Sequence, residues 1–142
     1  MPTRKAEATW TGDLKSGNGN YSGQSGALKG TYSFGTRFEN APGTNPEELI
    51  GAAHAACFSM ALAAGLGKAG HQPKRIHTTA DVSLEKVGEG FKITKIVLNT
   101  EGEVPGINEA TFKEFAEKTK TGCPVSQALA ATPIELVVKF KG

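Results

Sequence analysis

One long helix, predicted over residues 44–65, constrains the fold of this chain most. Thr44 or Asn45 can accept a backbone N–H as the N-cap, and Pro46 suits the first helical position, where no donor is needed. Glu47 follows in the first turn, where a carboxylate is stabilised by the positive end of the helix dipole. The sequence therefore predicts a helix that starts here and ends between Gly65 and Gly70.

Beyond its first turn this helix has almost no polar face, so we expect it to be buried nearly all round. Gly51, Ala52 and Ala56 carry very small side chains, which suits close approach of a sheet or of a second copy of the helix. Cys57 lies in the middle of the run. Its thiol is either a small core hydrophobe or a reactive group in a dry pocket.

The remaining pattern predicts an α+β domain in the order β-β-β-α-β-β-α-α-β, with an antiparallel sheet around the buried central helix. The hairpin at Gly88-Glu89-Gly90 joins two strongly alternating strands, and Asn108 is the expected cap of a later helix. The predicted strands span 4–12, two segments within 21–38, 75–87, 91–100 and 134–140, and the predicted later helices span 109–122 and 124–130.

Length and charge limit the possible partners. A chain of 142 residues is most simply one domain, 1–142, with one core. The net charge is +2 with both signs interspersed, so no nucleic-acid partner is expected. We expect no membrane partner either, because we find no apolar signal region and no apolar run that approaches a membrane span. A cytoplasmic location is expected.

The two cysteines decide the chemistry. In a reducing compartment they are inert thiols, metal ligands or a redox pair rather than a structural disulfide. Cys123 directly precedes Pro124 at a predicted helix start, where unpaired N–H groups and the helix dipole favour the thiolate. Cys57 has no such help nearby, and burial alone would raise its pKa. If Cys57 is the nucleophile, a cation must come from elsewhere in the fold.

His54 opens a second possibility. It lies three residues before Cys57 and so shares a helix face with it, which permits a Cys–His dyad or two metal ligands. With Cys123 these residues would form a three-ligand set, although no C-x-x-C accompanies them. The alternative function is therefore a non-enzymatic metal-binding or small-ligand module. Trp10, by contrast, is expected in the core rather than in a ligand pocket.

Several motifs resemble the OsmC/Ohr family of organic hydroperoxide peroxidases, most closely its osmotically inducible OsmC branch. They are Thr-Asn-Pro-Glu-Glu-Leu at 44–49, His-Ala-Ala-Cys-Phe-Ser-Met at 54–60, Gly-Cys-Pro-Val-Ser at 122–126, Gly-Thr-Arg-Phe-Glu at 35–39 and Thr-Thr-Ala-Asp-Val-Ser-Leu at 78–84. The resemblance covers nearly the whole chain.

The resemblance implies a thiol peroxidase that reduces organic hydroperoxides to alcohols in oxidative or osmotic stress defence. Cys57 would be the peroxidatic thiolate and Cys123 the resolving thiol, with a Cys57–Cys123 disulfide as the product. Arg37 would be the activating cation and Glu47 the carboxylate that orients it. The family implies an intertwined homodimer, a dithiol reductant of lipoyl or thioredoxin type, and no cofactor or metal. Without the resemblance, the sequence would predict that Arg37 is a solvated surface charge. Glu47 would be explained by its interaction with the positive end of the helix dipole.

Helix geometry places a condition on those roles. Glu47 and Cys57 are ten residues apart, so on one straight helix they lie about 15 Å apart along the axis and about 80° apart around it. Either the helix breaks near Gly51, or Arg37 and Glu47 reach Cys57 with help from a second chain. We therefore predict an obligate homodimer in which Arg37 crosses the interface.

Overall fold

The computed structural model describes residues 2–142. Its elements in chain order are β1 (Ala6–Thr11), β2 (Asn18–Gly23), β3 (Lys29–Tyr32), α1 (Phe34–Phe38), α2 (Pro46–Lys68), β4 (Arg75–Val87), β5 (Gly90–Glu103), α3 (Glu109–Gly122), α4 (Pro124–Ala128) and β6 (Ile134–Lys141). The chain forms two compact units, one ending at Leu49 and the other spanning Ile50–Gly142. The single domain over 1–142 stays a prediction.

The N-terminal unit is a three-stranded antiparallel sheet in the order β1-β2-β3, followed by α1. Tyr32 packs against Trp10 with ring centroids 5.6 Å apart. The prediction of strand structure up to residue 38 is wrong for 34–38. Ser33 and Thr36 form a capping box, because each side chain accepts the other residue's backbone N–H, and these local bonds turn the segment into a helix.

Helix α2 starts as predicted. The Asn45 side chain accepts the backbone N–H of Glu48 at 2.8 Å, so Asn45 is the N-cap, and Pro46 takes the first helical position. The helix continues unbroken to Lys68, and Gly70 then adopts a positive φ of 87°. The helix therefore does not break near Gly51, and this first way of bringing Glu47 to Cys57 is excluded.

The C-terminal unit has a second three-stranded sheet in the order β4-β5-β6. Strands β4 and β5 form the predicted hairpin, with Val87 opposite Gly90. Strand β6 pairs with β5 in parallel, so the prediction of an antiparallel sheet is wrong for this pair. The physical reason is the crossover, since α3 and α4 carry the chain back before β6 enters the sheet.

One side of α2 supplies much of the core of this unit. Phe58, Leu62 and Leu66 are fully buried on it, and Gly51 lets the helix approach β4 closely, since a Cβ there would lie 3.3 Å from the Ala80 carbonyl oxygen. The other buried apolar residues are Ile96, Leu98, Val104, Phe112, Ala116 and Cys123.

The other side of α2 is exposed in the single chain. Ala52, Ala56, Met60 and Ala64 recur every four residues along this exposed stripe, and Met60 is 75% exposed. The prediction of burial nearly all round therefore holds for one face of the helix only.

A second prediction about α2, which concerned the length of its apolar run, also needs correction. By length and composition this helix is long and apolar enough to cross a membrane. The prediction that no apolar run approaches a membrane span is wrong on that criterion, because the many alanines count as apolar although they are small. The same composition suits a core helix, and the face that bears Phe58 is buried within the protein.

Candidate active site

Helix α2 presents His54 and Cys57 one turn apart toward the interior of the C-terminal unit. His54 is fully buried and Cys57 is partly buried. Their separation of three residues places both side chains on neighbouring positions of one helix face, as predicted. The site is therefore built on a rigid element rather than on a loop.

The second cysteine lies at the junction of α3 and α4. Cys123 is both the C-cap of α3 and the N-cap of α4, with extended backbone dihedrals of φ −58° and ψ 131°. Pro124 disfavours helical geometry for the residue before it and then fits the first helical position of α4. The chain therefore turns at Cys123, and the cysteine falls at the N-terminus of the new helix, as the sequence predicts.

The fold brings the two thiols together. Both cysteines are free, and the Cys123 thiol donates to the Cys57 sulfur at an S···S distance of 2.9 Å. Cys123 is fully buried, whereas Cys57 keeps some exposure. The sequence left three possible roles for the two cysteines: inert thiols, metal ligands or a redox pair. Of these, the redox pair is the one that needs two sulfurs in direct contact.

The two sulfurs differ in acidity. Burial raises the pKa of the Cys57 thiol, and the neighbouring Cys123 raises it further. Burial also acts to raise the pKa of Cys123, but its polar surroundings, the Cys57 sulfur first and then Ser126 and Val125 at the start of α4, outweigh burial and lower it. In the single chain Cys123 is therefore the more acidic of the two thiols, and activation of Cys57 requires a cation.

His54 pairs with a residue that the sequence did not single out. Its Nε2 lies 2.7 Å from the Ser126 Oγ, and Ser126 is itself buried in α4. Burial lowers the pKa of His54, which keeps the ring neutral. One feature of the sequence could have pointed to Ser126. It stands three residues after Cys123, the residue that caps α4, and a side chain at that position lies beside the cap residue.

The alternative metal module is not favoured. Its three proposed ligands include His54, but the Nε2 of His54 is engaged with Ser126. Among residues 2–142 no group of three or more His, Cys, Asp and Glu side chains has the arrangement to hold a metal ion. The buried cluster is better described as two thiols beside a histidine–serine pair.

Arg37 and Glu47 form a bidentate ion pair within the N-terminal unit. The Arg37 Nε donates to Oε1 of Glu47 at 3.1 Å, and Nη2 donates to Oε2 at 2.9 Å. Glu47 is buried and Arg37 is 35% exposed. Arg37 lies in α1, within the segment 21–38 for which strands were predicted, and its guanidinium is 5.4 Å from the Phe38 ring centroid. The Glu47 carboxylate fixes the orientation of the Arg37 guanidinium group and leaves one edge of that group accessible.

Arg37 also lines an aromatic cavity of about 260 Å³ in the same unit. The other lining residues are Trp10, Leu14, Tyr32, Ser33, Phe34 and Phe38. The expectation that Trp10 belongs to the core rather than to a pocket is therefore wrong, because its ring forms part of this wall. One cation in a mostly aromatic and apolar lining suits a small molecule with a polar end and an apolar body.

An α+β fold with two contacting free thiols, one of them at a helix N-terminus, defines the chain as a thiol redox protein. Residues 38–139 match the OsmC family, described as OsmC-like protein, and the match begins one residue after Arg37. The chain belongs to the OsmC family.

Two relatives and one solved structure extend this result. The chain is 60% identical to Peroxiredoxin OsmC of Escherichia coli K12 over 129 residues, which cover 90% of each protein. It is 32% identical to an organic hydroperoxide resistance protein of Xanthomonas axonopodis pv. citri over 87 residues, covering 61% of this chain and 59% of that protein. An organic hydroperoxide resistance protein from Elizabethkingia anophelis shares the fold, with a TM-score of 0.76, 24% identity and 99% coverage of both chains.

Proposed function

We propose that this protein is a cysteine-based thiol peroxidase that reduces organic hydroperoxides to alcohols in defence against hydroperoxide stress. The observation that carries the proposal is the contact between the two free thiols, 2.9 Å apart, in a chain that belongs to the OsmC family. The names of its relatives, a peroxiredoxin and organic hydroperoxide resistance proteins, support the same activity. No metal or cofactor is required by this chemistry.

The reaction uses both sulfurs. The Cys57 thiolate attacks the outer peroxide oxygen, the O–O bond breaks, and the alkoxide takes a proton to leave as an alcohol. The Cys123 thiolate then attacks the Cys57 sulfenic sulfur, which forms the disulfide and releases hydroxide that is protonated to water. A dithiol partner of lipoyl or thioredoxin type restores both thiols by exchange.

Cys57 is the better candidate for the peroxidatic position. It retains exposure to solvent, while Cys123 is fully buried and cannot meet a peroxide first. Its raised pKa must then be offset by a cation when substrate binds. Arg37 is suited to this role because it stays charged and is oriented by Glu47 through two hydrogen bonds.

A second chain would supply that cation. Helix α2 is unbroken, so its rise alone separates Glu47 from Cys57 by about 15 Å along the axis. The exposed stripe of Ala52, Ala56 and Met60 has the small side chains that let two such helices pack closely. We therefore propose a homodimer in which Arg37 and Glu47 of one chain act at Cys57 of the other.

The aromatic cavity beside Arg37 supports an organic rather than an inorganic peroxide. Its lining can cover an alkyl or aryl group, while the guanidinium can hold the peroxide oxygens. Hydrogen peroxide has no apolar group to bury there. The cytoplasmic location of the reaction stays a prediction.

Counting thiols tests the proposed function. One equivalent of tert-butyl hydroperoxide should lower the free thiols of the reduced protein from two per chain to none, since both cysteines start free. One equivalent of tert-butanol should appear. Metal analysis of the same sample tests the alternative function, a non-enzymatic metal-binding module. Persistence of both thiols together with bound metal would contradict the peroxidase.

Arg37→Ala should raise the pKa of Cys57, because it removes the cation that offsets the desolvation of a buried thiolate. An opposite charge within a few ångström typically shifts a pKa by about 1–3 units, so alkylation of Cys57 should move to higher pH by that amount. The measurement is the rate of iodoacetamide labelling of Cys57 against pH, read by mass spectrometry.

The matched control is Arg4→Ala, which removes an exposed arginine ahead of β1. That variant should label like wild type. An unchanged labelling profile for Arg37→Ala would mean that another group activates Cys57.

Leu14→Gln should selectively impair large organic substrates. Leu14 is 58% exposed and lines the aromatic cavity, so an amide there weakens apolar contact with the substrate. The kcat/KM for cumene hydroperoxide should fall by a factor on the order of three to ten, while the value for hydrogen peroxide stays the same. Steady-state kinetics with both substrates measures the effect.

Leu28→Gln is the matched control, because Leu28 is 45% exposed and does not line this cavity. It should leave both kcat/KM values unchanged. Equal losses with the two peroxides in Leu14→Gln would contradict a substrate role for the cavity.

A further inference from the structure

One part of the aromatic cavity beside Arg37 is formed by a loop. The loop 12–17 joins β1 to β2, and its Leu14 lines the cavity while remaining exposed. A side chain that lines a cavity and also faces solvent stands at the cavity mouth. The other lining residues lie on β1, on β3, on α1 or between β3 and α1. The position of Leu14 therefore depends on the conformation of a loop, whereas secondary structure holds the rest of the lining.

Trp10 ties the first part of this loop to the cavity wall. Its Nε1–H donates to the carbonyl oxygens of Gly12 at 3.0 Å and of Asp13 at 3.2 Å. The indole ring itself lines the cavity and packs against Tyr32. One side chain therefore forms part of the wall and also holds the loop next to it.

Asp13 holds the part of the loop that follows it. Its Oδ1 accepts the backbone N–H of Ser16 at 2.7 Å and the Ser16 hydroxyl at 2.6 Å. Its carbonyl oxygen accepts the Gly17 N–H at 2.9 Å. The hydrogen bonds from Ser16 lower the pKa of Asp13, so the carboxylate is ionised at neutral pH and can accept both bonds. Leu14 lies within the turn that these bonds close.

Two glycines permit the path of this loop. Gly12 has a positive φ of 93°. A Cβ on Gly17 would collide with the carbonyl oxygens of Thr11 and Asp13. The connection is longer than the about two to five residues that are usual for a hairpin, and a longer loop needs bonds of its own to be ordered. The backbone path and the bonds of Asp13 together keep Leu14 at the cavity.

We propose that the loop 12–17 determines the specificity of the cavity for bulky organic peroxides, and that Asp13 is the positioning residue that holds Leu14 at the cavity mouth. This inference rests on the proposed function, which places the organic group of the peroxide in this cavity. Asp13 is not among the lining residues, so it acts on the substrate through Leu14. An aryl or branched alkyl group is large enough to contact Leu14, whereas hydrogen peroxide has no such group.

The expected effect of losing Asp13 is several-fold. The hydrogen bonds of its carboxylate lie at the surface, where water can replace them, so the fold should remain intact without them. The loss falls on the order of Leu14, which must then be recovered each time a ligand binds. Ordering a side chain on binding corresponds to a factor of about two to ten in affinity.

Trp10 allows binding to be measured without turnover, because it lines the cavity and is the only tryptophan in the chain. The probe is 2-phenyl-2-propanol, the unreactive alcohol product of cumene hydroperoxide, and the measurement is tryptophan fluorescence as the reduced protein is titrated. Asp13→Ala should raise the Kd of this alcohol by a factor of about two to ten. Ser16→Ala removes the hydroxyl donor alone and should cause a smaller rise. Asp13→Asn keeps the acceptor oxygen and should stay close to wild type.

Coupling to Leu14 separates a positioning role from a merely structural one. In a Leu14→Gln background, Asp13→Ala should have little further effect on the Kd, because the apolar contact that Asp13 positions is already lost. The matched control is Glu89→Ala, which removes an exposed acid from the turn between β4 and β5 and should bind like wild type. An equal rise with and without Leu14 would overturn the proposal, as would an unchanged Kd in Asp13→Ala.

Steady-state kinetics give an independent test. With cumene hydroperoxide, Asp13→Ala should raise KM by the same factor and leave kcat unchanged, because neither thiol is altered. Its kcat/KM for hydrogen peroxide should equal that of wild type. A fall in kcat with KM unchanged, or equal losses with both peroxides, would overturn the proposal.

The two levels of inference fail separately. If 2-phenyl-2-propanol does not change the Trp10 fluorescence of the wild-type protein, the role of the loop 12–17 is refuted, whereas loss of both thiols with peroxide would still support the peroxidase. If both thiols persist after peroxide, the proposed function fails, and the fluorescence titration still decides whether Asp13 and Leu14 control the affinity of the cavity.

Discussion

Replacing Cys57 by serine should abolish hydroperoxide reduction. A serine hydroxyl has no accessible anionic form at neutral pH, whereas the thiol can be ionised by a nearby cation. Removal of an enzyme's nucleophile typically costs several orders of magnitude, so we expect a loss on the order of 10⁴-fold or more in kcat. The measurement is the consumption of tert-butyl hydroperoxide with a dithiol reductant.

The matched variant is Cys123→Ser, which keeps the attacking sulfur and removes the resolving one. It should consume one equivalent of hydroperoxide per chain and stop with a sulfenic acid on Cys57, visible by mass spectrometry as one added oxygen. If Cys123 is instead oxidised at the wild-type rate in Cys57→Ser, the two roles are inverted. The lowered pKa of Cys123 makes that comparison necessary, because acidity alone would favour it as nucleophile.

Mixing two inactive variants should restore activity if the site is shared between chains. Cys57→Ser chains and Arg37→Ala chains are unfolded together and refolded as a one-to-one mixture. Random pairing makes half of the dimers mixed, and each mixed dimer then holds one intact site of two, so about a quarter of wild-type activity should return. The readout is peroxidase rate per chain, with mixed dimers verified by mass spectrometry under native conditions.

The control is a mixture of Cys57→Ser with Cys123→Ser chains. Both changes lie in the thiol pair, which forms within one chain, so that mixture should regain far less steady-state activity. Verified mixed dimers of the first pair that remain inactive would refute the shared site. A stable, fully active monomer at low concentration would refute the dimer requirement as well.

The local features of the fold are largely determined by the sequence. The N-cap at Asn45 with Pro46 after it, the hairpin at Gly88 and the cap at Asn108 all form as their residues predict. Each depends on contacts within a few positions of the chain, so local preference suffices. Pro124 likewise determines by itself that Cys123 stands at the start of a helix.

The family resemblance supplied what local patterns could not. Neither Arg37 nor Glu47 is distinctive by its surroundings in the sequence, and their bidentate contact was expected only from the resemblance. The helix at Arg37 was missed because its capping box consists of Ser33 and Thr36, two weak signals within a segment of alternating small and aromatic residues.

Apart from the pairs that the resemblance implied, the tertiary structure decided which distant groups meet. The two sulfurs are 66 residues apart in the chain, and His54 is 72 residues from Ser126. The parallel pairing of β6 with β5 also depends on the crossover through α3 and α4. Such contacts follow from how whole elements pack, not from local preference, so the sequence fixes the chemistry of each side chain while packing determines its partners.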